Sequence, residues 1–536
     1  MQFGGHLPPR PARPQRCPRS MVLTSHGTRL STVSRAHAVG WSLLATLLLA
    51  AACGGGGGGG GGGGTSPTPT PAPGSTATPR PTTTAAPTPS PSPSPDGNAR
   101  ARIILAENDT IGDVEVVDVE DASLNDAGAV AAIVTARGAS GGRALLLGGN
   151  DGGFSALVTP DGLPGGDTKT LSRVRLAETG AAIFEAGDGL DSDRLYFASD
   201  GVVQALAGAA PGVTSPTFRI LGDVVIGGNG LVGFVGGGDE CKTDTTDENP
   251  RLECAGHLFV AQDGSVSEVE AEGLELAKIS PTRPQVAVAD TGVAFFSAPA
   301  SGEGPVILRW DDGKVSTVLA RNAELEGVGR LVSPQVAAAN ADEQLLLTTT
   351  FAKDATPRPT VLGILEGKTF TTLDTEGTAV GDQVITDLRA VGLDEQGRAL
   401  YIVRIGAEGA TDAPRTLRLK DAHTSVDVAT EKSTLPGSDK TLLSIQSQRL
   451  NRRGDVAFIA ELGRIDGLTT IIEEVRLVVR LADGRYVTSV SSANPQDLGT
   501  LSDFEIAGFD DNANALLIAT RNPNQTVLVF APLPTS

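Results

Sequence analysis

The chain runs to 536 residues, with 43 Lys plus Arg against 63 Asp plus Glu and a formal charge of −20. Six of the Arg and none of the acids fall in residues 1–52, so the remainder is more acidic still and would repel phosphate backbones, which sets nucleic acid aside as a partner. Beyond residue 52 the only His are His257 and His423, and the only Cys are Cys53, Cys241 and Cys254, too little for a zinc site or a nucleophile–base pair.

In chain order, the first element is an export signal. Met21 opens a stretch carrying Arg29 and Arg35, followed by an apolar segment from Ala38 to Ala52 that is short for a bilayer span. Residues 1–20, rich in Pro and Arg, read as an over-extended start, with Met21 the expected initiator. Leu49-Ala50-Ala51-Ala52-Cys53 resembles the bacterial lipobox, in which cleavage before the cysteine frees its thiol to take a diacylglycerol. The resemblance implies lipidation at Cys53 and a cell-envelope location. Glycine rather than aspartate after the cysteine favours the outer membrane or cell surface.

Residues 53–97 form the second segment. Gly54 to Gly64 is an unbroken glycine run, and Thr65 to Pro95 is mostly Thr, Pro and Ser. Glycine gives a floppy coil and alternating proline an extended spacer, and neither can bury apolar surface. A tether is expected.

Residues 98–536 form the third segment, and they repeat. The fullest copy is Asn451-Arg452-Arg453-Gly454-Asp455-Val456-Ala457-Phe458. The corresponding anchors are Gly128, Gly180, Gly230, Gly292, Glu343, Gly397, Gly454 and Asn514, spaced 50 to 62 residues apart. In each copy Asn or Asp opens a tight turn, Gly closes it in the left-handed conformation, and an apolar strand follows. About 20 residues later comes a second turn, at Asp151-Gly152, Asp200-Gly201, Asp263-Gly264, Asp312-Gly313, Glu366-Gly367 and Asp483-Gly484. Two hairpins per unit make four short strands, and no long stretch has helical periodicity. The expected fold is all-β: a β-propeller of about eight four-stranded blades, with seven left open because Glu343 and Asn514 depart from glycine. Ile103-Ile104-Leu105-Ala106-Glu107-Asn108 is similar to Thr317-Val318-Leu319-Ala320-Arg321-Asn322 in the second half of a unit. On that likeness residues 102–119 are expected to supply the outer two strands of the last blade, whose other two would be Ala515–Thr520 and Thr526–Phe530, pairing the chain ends and removing free edges.

The Asn-x-x-Gly-x-x-Ala-Phe signature with Asp-Gly turns between copies resembles the bacterial choice-of-anchor tandem-repeat family named for NxxGxxAF. The resemblance spans nearly all of Arg102–Phe530, and it implies display at a surface and no established activity.

Other candidate features have plainer readings. Cys241 and Cys254 flank an acidic insert in the longest repeat spacing, and an exported protein pairs two such cysteines, closing a loop with a contribution on the order of 3 kcal/mol. Asp244, Asp247 and Glu248, or Asp188, Asp191 and Asp193, could offer oxygen ligands to calcium, but neither set has the spacing of a calcium loop. Gly148–Gly153 and Gly222–Gly237 lack the Gly-Lys-Ser/Thr ending of a phosphate loop. Trp310, Tyr196, Tyr401 and Tyr486 are few for stacking on sugars. No catalytic residue, metal site or cofactor is expected. The functional expectation is a monomeric, membrane-anchored binding or structural module whose ligand is an unidentified protein or envelope component. The alternative is an envelope hydrolase or lyase using carboxylates in the propeller channel.

Overall fold

The computed structural model describes residues 100–533, apart from 139–141, 165–169, 189–190, 209–219, 238–241, 245–250, 254–255, 263, 272–285, 301–303, 321–322, 326–328, 353–358, 468, 494–497 and 522–523. Its strands group into eight antiparallel sheets of four principal strands each, the blades of a propeller. Blade 1 holds 114–124, 129–137, 143–149 and 155–158, and blade 2 holds 170–176, 182–188, 191–199 and 202–208. Blade 3 holds 220–226, 232–237, 256–262 and 265–268, with a small ribbon of 242–244 and 251–253 inserted between its second and third strands. Blade 4 holds 286–289, 293–300, 304–311 and 314–319. Blade 5 is built from 335–339, 345–352, 360–366 and 369–375, and blade 6 from 383–393, 399–406, 415–420 and 425–430. Blade 7 comprises 441–450, 456–466, 469–480 and 486–491. Blade 8 takes 501–509, 515–521 and 525–531 from one end of the chain and 102–106 from the other.

The seam pairs the chain ends, with Arg102 opposite Phe530 and Ile103 opposite Val529. It uses one N-terminal strand and not two. The strand 102–106 lies outermost in blade 8, matching 314–319 in blade 4, while 114–119 begins the inner strand of blade 1. The physical reason is where the repeat turn sits. It joins the first and second strands of a blade, so each unit counted from its turn omits the strand before it, here 501–509. With that strand included, one strand completes the last blade.

The second strand of each blade is packed on both faces, which is why it reads as a continuous apolar run. In blade 7, Ala457 and Ile459 face blade 8, while Val456, Phe458 and Ala460 face blade 6. In blade 1, Val130, Ala132 and Val134 face blade 8, and Ala131 and Ile133 face blade 2. This is the two-residue strand period applied to two interfaces at once. Among the described residues there are eight such apolar clusters, one at every blade junction including the one that joins blade 8 to blade 1. The ring is therefore closed by hydrophobic burial as well as by the strand seam.

The second set of turns lies between third and fourth strands. Asp200-Gly201 and Asp312-Gly313 both have positive φ at each residue, the conformation that matches the twist of a two-residue hairpin.

Candidate functional site

The first strands of the blades contact one another in a closed cycle and so line the axis of the ring. Their channel-side edges are partly satisfied by the preceding blade. Asp121 accepts the Val174 N–H at 2.8 Å, Ser123 the Leu176 N–H at 3.1 Å, and Ser447 the Ile506 N–H at 2.8 Å.

At one end of the first strands come the repeat turns. In the fullest copy, Asn451 Oδ1 accepts the Asp455 N–H at 2.8 Å and closes its own turn. Its Nδ2 donates to the Asp510 carbonyl of blade 8 at 3.0 Å. Asn125 and Asn340 repeat both bonds, to Ala129 and Gln344 within the turn and to Ala177 and Asp394 in the next blade. Asparagine suits this position because it carries an acceptor and a donor on one rigid amide. Asp394 and Asp510 keep only the acceptor half, binding N–H groups two and four residues on. Ala177 and Gly227 have neither, and Thr179 and Asn229 cap those turns instead.

The glycines close the turns as expected. Gly128, Gly180, Gly230, Gly292, Gly397 and Gly454 all have φ between 73° and 88°, and Glu343 takes the same role at φ 60°. The eighth turn corrects the sequence reading: its left-handed residue is Ala513, at φ 61°, and not Asn514. Asn514 instead donates its side-chain amide to Asp510 and accepts the Leu533 N–H. The turn places Ala513 at the strained position, where its buried methyl packs into the junction with blade 7.

The residue two positions before each left-handed turn residue has no strong sequence signature, yet these positions meet around the channel mouth. They are Asp126, Glu178, Gly228, Asp290, Ala341, Glu395, Arg452 and Asp511. A carboxylate of one blade accepts the backbone N–H of the preceding one: Asp126 N–H to Glu178 at 2.8 Å, Gly228 to Asp290 at 2.7 Å, Ala341 to Glu395 at 3.1 Å, Arg452 to Asp511 at 3.0 Å, and Asp511 to Asp126 at 2.7 Å. Where arginine replaces the acid, Glu395 N–H donates to the Arg452 carbonyl at 3.1 Å.

Arg452 is the single cation among these eight positions. Its Nε binds Asp511 at 2.7 Å, its Nη1 reaches Asp290 in blade 4 at 2.8 Å, and its Nη2 binds Asp126 in blade 1. One guanidinium thus ties blades 1, 4, 7 and 8 across the mouth, using the planar fork that suits carboxylates. Charge is still unbalanced. Burial, followed by the nearby Asp290, Asp511 and Asp510 charges, pushes Glu178 up to about 7, and burial pushes Asp510 up to about 6 with Asp511 adding to it. Burial also raises Glu395, where Asp290, Asp342 and Asp511 act in the same direction.

The remaining sequence candidates lie elsewhere. Cys53, Cys241 and Cys254 fall outside the described residues, although the neighbouring Lys242 and Glu253 pair across the blade 3 ribbon. The side chains of the two acidic loops, at 188–193 and 244–248, are outside them too. His257 is exposed and meets Glu268 at 2.6 Å on an adjacent strand, and His423 is exposed in a turn capped by Asp421. Among the described residues, no three His, Cys, Asp or Glu side chains are arranged to hold a metal, and no helix is long and apolar enough to cross a membrane.

No family model and no curated protein matches the chain. Among solved structures it is similar to the Dos1 propeller, at 10% identity over 81% of this chain and 94% of that one, with a TM-score of 0.39. It is also similar to the WD40 domain of SCAP from fission yeast, at 8% identity over 81% and 98% of the two chains and a TM-score of 0.40. A third is oligogalacturonate lyase from Vibrio parahaemolyticus, at 10% identity over 66% and 88% and a TM-score of 0.35. At such identities and scores these likenesses say nothing about activity.

Proposed function

We propose that this chain is a lipid-anchored, non-enzymatic propeller of the NxxGxxAF repeat type, displayed on a bacterial envelope to bind or brace another envelope component. One observation carries the non-enzymatic reading: the carboxylates that converge at the channel mouth are already engaged. Asp126, Asp290 and Asp511 each accept a ring N–H and an Arg452 N–H, which leaves them poorly placed to take a substrate proton or attack a sugar carbon. The anchoring reading rests on the lipobox-like run before Cys53 and the Gly-then-Pro spacer after it. Fractionation of cells expressing the wild-type chain and Cys53→Ala is the direct test. The wild type should sediment with membranes and carry a diacylglycerol-sized mass increment, and Cys53→Ala should be released; a variant that stays with the membranes would refute lipid anchoring.

The envelope-hydrolase reading keeps one point in its favour: burial, and then the neighbouring Asp290, push the Glu178 carboxyl up to about 7. Turnover of an envelope glycan by the wild-type chain, lost in Glu178→Gln, would favour it over a binding module.

A further inference from the structure

The mouth ring has a vacant position at blade 3, where Gly228 stands in place of a side chain. A Cβ built there would lie 2.7 Å from Asp290 Oδ1 and 3.2 Å from Glu178 Cγ, so the glycine lets two acidic side chains of blades 2 and 4 close over blade 3. The groups facing Glu178 come from every turn around it. Blade 1 offers the Asp126 N–H, and blade 4 offers Asp290. Blade 8 contributes Asp510 and Asp511, while Arg452 of blade 7, the one cation at the eight mouth positions, is already shared among Asp126, Asp290 and Asp511. Its own turn adds only the Thr179 hydroxyl, which serves the Ala181 N–H. Among the described residues Glu178 thus has one backbone donor and no cation of its own.

We propose that the channel mouth is a proton-controlled latch, closed while Glu178 is protonated and loosened between blades 1, 2 and 4 when it ionises. With the proton on, Glu178 sits over the Gly228 gap as a neutral hydrogen-bonding group and accepts the Asp126 N–H. With the proton off, a further negative charge joins Asp290 and Asp511 in a part-buried site whose single guanidinium is fully used. The upward displacement of the Glu178 pKa is consistent with that geometry. The sign follows from linkage: the closed mouth binds the proton more tightly than an open or unfolded one. The stability Glu178 confers is therefore full at acid pH and lost as pH rises through the closed-state value. An exported protein meets such pH changes directly, so the mouth would open on the alkaline side of neutrality and close on the acid side.

The test is amide hydrogen exchange on the full chain at pH 6, 7 and 8, corrected for intrinsic base catalysis. The Leu481 amide, bonded to Arg485 O in an outer turn of blade 7, serves as the internal reference. Protection of the Asp126 amide should fall about tenfold relative to Leu481 between pH 6 and pH 8. In Glu178→Gln that fall should vanish. A constant ratio in the wild type overturns the latch, and this comparison decides the matter even where the variant folds poorly. The same fall in a folded Glu178→Gln also overturns it, because the proton would then reside elsewhere.

Discussion

The mouth of the ring has a tight arc and an open one. From blade 5 round to blade 2 the turns are stitched without a break, running Ala341 to Glu395, Glu395 to Arg452, Arg452 to Asp511, Asp511 to Asp126 and Asp126 to Glu178. Across blades 3 and 4 the corresponding link is Gly228 to Asp290, and those blades have Gly227 and Ala289 where the tight arc has Asn125, Asn340 and Asn451. Arg452 compensates by reaching over the mouth to Asp290, 162 residues away in sequence. A repeat protein can thus lose its capping residue in some copies when a long side chain from another copy supplies the missing connection.

The largest expected effect is on the seam, which lies inside the tight arc. Leu105 is fully buried and Ile104 nearly so, both packed at the junction of blades 8 and 1. Deleting residues 100–106 should abolish a single cooperative thermal transition, as followed by calorimetry; one sharp transition at the wild-type temperature would show that the ring holds without its N-terminal strand. Next in size is Arg452→Met, which leaves three carboxylates facing one another. Breaking buried pairs costs several kcal/mol, and since this cluster is about one-third exposed a loss of about 2 kcal/mol in denaturant unfolding is expected. A loss under about 0.5 kcal/mol would mean that the open arc needs no strut.

Two glycines of nearly equal φ compare the arcs more finely. Gly454 in the tight arc has Asp394 Oδ2 and the Arg398 guanidinium where a Cβ would go, whereas Gly230 in the open arc has the Thr179 hydroxyl at an ordinary contact distance of 3.5 Å. Gly230→Ala should cost about 1 kcal/mol from backbone strain alone, and Gly454→Ala about 2 kcal/mol. Equal costs would show that the arcs are alike at this level.

The last comparison is read in acid, as a change of slope. Burial pushes Glu474 up, but Arg476, Ser491 and Lys440 outweigh it and hold the carboxyl at about 2. A group depressed on folding contributes above its unfolded value, so this stability is present above about pH 4.5 and lost as pH falls towards 2. In Glu474→Gln the melting temperature should drop at neutral pH and the acid limb of its pH profile should flatten, while the slope between pH 6 and 8 is unchanged; a profile matching the wild type at both limbs would remove Glu474 from the account.

Much of the fold was legible because each blade repeats the same local instructions. The turn residues, the apolar second strand and the Asp-Gly hairpin depend on neighbours a few positions away, so about eight copies could be counted, with seven left open because Glu343 and Asn514 stood where glycine was expected. The likeness of Leu105 to Leu319 located the outermost strand of the last blade, though not the missing inner strand 501–509, since nothing local marks which side of a turn opens a blade.

The mouth was not legible. Its members are simply the residue two positions before each left-handed turn residue, chemically varied, and in sequence they look like ordinary turn residues. They become one site only because ring closure brings positions 50 to several hundred residues apart to a common axis, as with Asp126 and Asp511 at a separation of 385. Sequence alone determined the repeat, the all-β blades and the meeting of the chain ends, because short-range backbone and packing preferences dictate them. Only the tertiary structure decided that acids from three other blades would share one arginine, because an electrostatic balance depends on distances that no single repeat contains.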